Sequence, residues 1–135
     1  MGGIEGVCAP SGSDGPNPDA GLSEAAGQDG CPNGMLGTPY GFCIDQYEAS
    51  LARVSDGEPW SPYKNPGNAS VRAVSMAGAV PQGYIIQIQA TNTCDAAGKR
   101  LCSNREFVSA CQGSSGRTYP YGSTRVWDRC NDHSQ

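Results

Sequence analysis

Seven cysteines, at positions 8, 31, 43, 94, 102, 111 and 130, are the side chains of this chain best equipped for chemistry. A thiolate can attack an electrophile, ligate a soft metal or close a disulfide, and spacing discriminates among these uses. No two cysteines make a C-x-x-C pair, and His133 is the single histidine, so zinc-knuckle spacing is absent. A nucleophilic cysteine needs a cation or a helix N-terminus beside it. Only Cys102, flanked by Arg100 and Arg105 and next to a helix start, approaches that arrangement. The structural use fits better. Cys31, Cys43, Cys94, Cys102, Cys111 and Cys130 are disulfide candidates, and pairing needs an oxidising compartment. Other constellations are weaker. Asp45 and Glu48 resemble paired carboxylates for proton transfer. Lys99 and Arg100 resemble an anion site, and Asp128, Asn131 and Asp132 are oxygen donors without EF-hand spacing. The expectation is therefore no catalytic, cofactor-binding or metal-binding residue.

These groups need positioning, and the stretch from Cys94 to Gly113 supplies it. It reads as the end of one helix, a break, and a second helix. Gly98 suits the left-handed residue that follows a helix. Ser103 with Glu106 three places on is a capping box, in which each side chain accepts from the other's backbone N–H. Phe107, Val108, Ala110 and Cys111 form a broad apolar face, and Gly113 stops the helix. The first helix lies within Tyr84–Ala97, with Ala90 and Cys94 on one face. Lys99 and Arg100 complement its carbonyl end and pair with acids such as Asp45 or Glu48. Cys102 precedes the second helix and Cys111 lies eight residues past its cap. That is roughly 12 Å along the axis, while a disulfide needs Cα atoms within about 7 Å, so these two do not pair. Cys94 and Cys111 can meet each other, Cys43 or Cys130.

Upstream, Tyr40–Ser50 is a candidate strand, with Phe42, Ile44 and Gln46 on one face and Cys43, Asp45 and Tyr47 on the other. A loop over 56–67, broken by Pro59, Pro62 and Pro66, carries Trp60 and Tyr63 as lids over the core or as a contact patch. Asn68-Ala69-Ser70 matches a glycosylation sequon, and Val71–Ser75 is a short strand.

Four motifs in order resemble the formylglycine-generating enzyme (sulfatase-modifying factor) family. They are Cys31-Pro32-Asn33-Gly34-Met35, the run Phe42-Cys43-Ile44-Asp45-Gln46-Tyr47-Glu48, the helix junction Ala97-Gly98-Lys99-Arg100-Leu101 with its cap, and Tyr119-Pro120-Tyr121-Gly122. The chain departs from the pattern at Ile86 and Gln87, and carries Phe107 where the family has Trp. The resemblance implies an α+β, irregular, C-type-lectin-like fold, present in its N-terminal half and stabilised by disulfides. It also implies structural roles for Gly98, Arg100, Ser103 and Glu106, and for Asp45 and Glu48 as acceptors from neighbouring donors. Family enzymes are copper-dependent oxidases of a substrate cysteine, and their full domain also carries calcium. Their catalytic cysteine pair sits in a later segment that matches nothing here, so neither copper nor calcium is expected in this chain.

Residues 1–30 hold eight Gly, three Pro, five acids and no Lys or Arg, which reads as a disordered acidic tether ahead of a 31–135 domain. Of thirteen acids in the chain, five lie there, leaving eight against nine bases in the body. That balance excludes a basic nucleic-acid face. No secretory signal or membrane-spanning apolar run is visible, and Cys8 follows a poor lipobox for a lipid anchor. The function classes that survive are an exported, extracytoplasmic binding or scaffold module for a protein or surface ligand, a piece of an active oxidase, or a stand-alone cystine-rich module.

Overall fold

The computed structural model describes residues 24–127 and 129 in full and residues 8–10 by their backbone. Its order is β1 (Cys8–Pro10), β2 (Met35–Gly37), β3 (Cys43–Asp45), β4 (Ser50–Arg53), β5 (Val71–Val74), α1 (Gln87–Ala96), β6 (Lys99–Leu101) and α2 (Asn104–Gln112). The strands make three two-stranded antiparallel sheets, β1–β6, β2–β3 and β4–β5. The result is a small mixed α and β body rich in loops.

The β4–β5 ladder is the platform. Leu51 faces Ala73 in register, all of β5 is buried, and α1 packs against it through Ala90, Thr93 and Cys94. The core cluster of Ala49, Leu51, Val71, Ala73, Cys94 and Ala97 is half alanine, with Trp60, Ile85 and Leu101 closing around it. So small a core leaves much of the stabilisation to covalent and polar ties. Cys31–Cys43 forms one, tying the segment before β2 to the first residue of β3 with Cα atoms 5.8 Å apart. Cys94 is also disulfide-bonded.

The expected strand over Tyr40–Ser50 is split. Residues 38–42 form the hairpin loop, in which the Thr38 N–H donates to the Phe42 carbonyl at 2.9 Å, and a second break separates β3 from β4. The two-face alternation fails with it, because Ile44 and Asp45 are both buried. The first helix lies inside the expected Tyr84–Ala97 stretch and starts at Gln87. Its N-cap, Ile86, has no acceptor side chain, and Gln89 supplies half a capping box by accepting from the Ile86 N–H at 3.1 Å. The second helix lies where its caps placed it. Ser103 Oγ accepts from the Glu106 N–H at 3.2 Å, and Glu106 Oε2 accepts from the Ser103 N–H at 2.8 Å. Its expected apolar face is not buried, however. Phe107, Ala110 and Cys111 are half-buried and Val108 is exposed, so α2 depends on its ends. Tyr119 and Gly122 exchange backbone hydrogen bonds at 2.9 and 3.0 Å, which makes the Y-P-Y-G motif a closed turn.

Residue 30 is not where the folded body begins. The Gly34 N–H donates to the Ala25 carbonyl at 2.7 Å and the Gln28 N–H to the Met35 carbonyl at 3.0 Å, so residues 24–30 fold back on the hairpin. Composition cannot show this, because backbone groups make the pairing. Positions 1–7 and 11–23 of the tether, the anchor assigned to the Cys8 side chain, Cys130, His133 and the oxygen set Asp128, Asn131 and Asp132 lie outside the described residues.

Gly98 turns the chain from α1 into β6 at φ +69, and nothing lies within 4 Å of where a Cβ would sit. Gly98→Ala should therefore cost backbone strain alone, about 1–2 kcal/mol, read as a lower urea midpoint with an unchanged slope. A neutral Gly98→Ala variant would show that the turn is dispensable.

Candidate functional site

Lys99 is the first residue after that turn, and its side chain points inward, 3 % exposed. Its ammonium meets Asp45 Oδ1 at 2.8 Å and lies 3.7 Å from Glu24 Oε1, with both carboxylates essentially buried. Glu24 Oε1 also accepts from the Ser75 N–H. Ser75 Oγ in turn accepts from the Tyr47 N–H at 3.0 Å and donates to the Tyr47 carbonyl at 3.3 Å. Gly34 makes room, since a Cβ there would sit 2.8 Å from Glu24 Oε1 and 3.2 Å from the Ser75 Cβ. One ammonium thus ties the N-terminal segment, β3, the end of β5 and β6 together.

A second charged group lies at the surface. Arg100 forms a two-pronged pair with Glu106, at 2.8 and 2.7 Å, over the N-terminal cap of α2. The Arg100 hydrogen bonds, then the Ser103 N–H, hold the Glu106 carboxyl down from its ordinary 4.5 to about 2. Arg100 therefore pairs six residues along the chain and not with Asp45 or Glu48. Glu48 is exposed, and Asp45 serves Lys99, so the two carboxylates are not a proton-transfer pair.

Cys102 is a thiol and not the cystine expected of it, and Cys111 is likewise outside any disulfide. That agrees with the axial separation that forbids their pairing. Burial, then the Glu106 charge, push the Cys102 thiol up to about 11, with Arg100 opposing. The residue that most resembled an activated nucleophile is protonated at neutral pH, because desolvation outweighs the arginine beside it.

A copper site needs thiolate donors brought together. Cys31 and Cys43 are consumed in a disulfide and Cys102 is held protonated. Among the described residues no three His, Cys, Asp or Glu side chains converge. The described residues therefore assemble no donor set for copper.

Sequence reasoning missed an amide network that ties the 62–84 segment to α1. Asn65 Nδ2 donates to the Tyr84 carbonyl at 2.6 Å and to Gln89 Oε1 at 3.0 Å, while Gln89 Nε2 donates to Asn65 Oδ1 at 2.9 Å. Buried Gln82 donates to the carbonyls of Pro62, Lys64 and Gly83. The network holds Tyr84 at φ +49, a left-handed conformation that costs a bulky residue about 1–3 kcal/mol. The loop aromatics divide: Trp60 packs on the core and donates to the Lys64 carbonyl at 2.8 Å, whereas Tyr63 is exposed, as is Tyr84. Amides spaced 24 residues apart leave no signal in a sequence read alone.

The chain matches no protein-family model, and no curated protein or solved structure is significantly similar to it. Among the described residues no helix is long and apolar enough to cross a membrane.

A carboxyl depressed in the folded state stabilises above its ordinary value, and that contribution is lost as pH falls from about 4.5 toward 2. Glu106→Gln keeps an acceptor for the cap but loses the ion pair. Its unfolding free energy from urea titration should fall below that of the parent chain at pH 7 by well under 1 kcal/mol, and the two should converge as pH falls to about 2. A gap that persists there would assign the effect to the cap.

Proposed function

We propose that this chain is an exported, extracytoplasmic binding or scaffold module built on part of the C-type-lectin-like formylglycine-generating fold and lacking that family's oxidase chemistry. The observation that carries this is the commitment of the reactive-looking groups to holding the chain. Lys99 is bound to Asp45 and lies beside Glu24, Arg100 to Glu106 over a helix cap, and Cys31 to Cys43. Cys102 is protonated. The capped α2, the Gly98 turn and the Y-P-Y-G turn support the family likeness, since each stands where the motif needs it. Disulfides at Cys31–Cys43 and Cys94 support an oxidising compartment. The partner is a protein or surface ligand, met by loops on a rigid base.

A second proposal, a piece of a longer oxidase, is favoured by the exposed apolar side chains of Ile86, Ile88, Val108 and Trp127, which a further segment would cover. One assay separates the two. The purified chain, supplied with copper and oxygen, is incubated with a cysteine-containing peptide, and the peptide is scanned for an aldehyde by mass spectrometry. The module predicts none, and alkylation of Cys102 by iodoacetamide that rises only as pH climbs toward 11. Aldehyde formation, or fast alkylation of Cys102 at pH 7, would contradict it.

A further inference from the structure

Building on the module reading, we propose that the shallow polar depression between the 66–71 segment and α1 is a subsite for one ring of an uncharged saccharide. The depression measures about 240 Å³ and is lined by Pro66, Asn68, Val71, Gln89, Asn92 and Thr93 among others, none of them ionisable. It is smaller than the roughly 300–1,000 Å³ of pockets that enclose a whole small molecule, so it seats part of a larger ligand.

The floor and the rim differ in chemistry. Pro66 and Val71 close the floor and are almost wholly buried, so the exposed part of the lining is mainly polar. Asn68 and Asn92 are exposed on the rim. A carboxamide presents two donors and an acceptor, so it can answer a hydroxyl, which both donates and accepts. An ionic ligand would lose hydration here without gaining a countercharge. Gln89 is already engaged by Asn65 and the Ile86 N–H, and the Thr93 hydroxyl donates to the Ala90 carbonyl at 2.9 Å. Those two set the shape of the depression and leave recognition to the two asparagines.

Pre-organisation comes from the amide network. Asn65 bonds both Gln89, which lines the depression, and the Tyr84 carbonyl, so one side chain fixes the two. Tyr84 is 69 % exposed while kept in a left-handed conformation, and the network retains that strain with no gain in burial. A neutral peptide is the rival occupant, but peptides are usually held by an open strand edge or a charged anchor. This depression is walled by a helix and a Pro-Gly turn.

The test is a titration of the isotopically labelled full chain with chitotetraose and with maltotetraose, to millimolar concentration, following side-chain amide resonances by NMR. Saturable shifts of the Asn68 and Asn92 NH₂ groups with at least one sugar are expected. Asn68→Ala and Asn92→Ala should each weaken that binding about tenfold, as loss of a well-made hydrogen bond implies, with the backbone spectrum otherwise kept. No saturable shift with either sugar overturns the subsite, as does unchanged affinity in both variants. Saturation by an uncharged Gly-Ser peptide without any sugar response also overturns it. A null titration leaves the module reading standing, because aldehyde formation is what defeats that one.

Discussion

A lysine ammonium cannot be buried for little: taking it out of water costs several kcal/mol unless carboxylates and hydrogen bonds replace the lost hydration. Lys99 meets that condition with Asp45 at 2.8 Å and Glu24 at 3.7 Å, all three side chains almost wholly shielded. The rest of the architecture follows from the need to bring them together. Gly98 must reverse the chain after α1 so that Lys99 points inward. Gly34 must lack a Cβ so that Glu24 can enter, and Ser75 must face Glu24 from the end of β5. Four chain segments distant in sequence are thereby held where the alanine-rich core alone would hold them weakly.

Covalent and surface ties divide the remaining work. The Cys31–Cys43 disulfide closes the hairpin that carries Asp45, so it limits the positions that carboxylate can sample. The Arg100–Glu106 pair, whose arginine directly follows Lys99, fixes the start of α2, and the Tyr40 hydroxyl donates to the Gly113 carbonyl at 2.8 Å, tying the end of α2 back to the hairpin loop. Functional surface is then free to vary in the loops between β4 and α1, where Asn65, Gln82 and Gln89 supply rigidity without charge.

What was legible in the sequence was what local chemistry decides. Ser103, Glu106 and Gly113 bound α2 because a capping box and a terminal glycine act within a few residues. Gly98 was legible for the same reason, and Ala90 with Cys94 marked the buried face of α1. Partners set by tertiary folding were harder. Opposite charges point Lys99 and Arg100 to acids such as Asp45 or Glu48 without saying which pairs with which, and Lys99 takes Asp45. Glu24 was hidden in a stretch whose composition reads as tether, and Arg100 found a closer acid than Asp45 or Glu48. The three-residue strands left too little alternation to read, and the Asn65–Gln89 clamp left none. Cys102 shows the limit from the other side: flanking arginines suggested activation, and burial reverses it.

The most direct measurement is a double-mutant cycle on Lys99→Met and Asp45→Leu by urea denaturation. Lys99→Met strands the Asp45 and Glu24 carboxylates, and Asp45→Leu leaves the buried ammonium only Glu24 at 3.7 Å, so each should cost about 3–5 kcal/mol. Replacing both should cost at least about 2 kcal/mol less than the two singles added, because the Lys99–Asp45 contact is lost only once and Glu24 alone is left without its ammonium. Costs that add to within about 0.5 kcal/mol would mean the pair does not organise this fold.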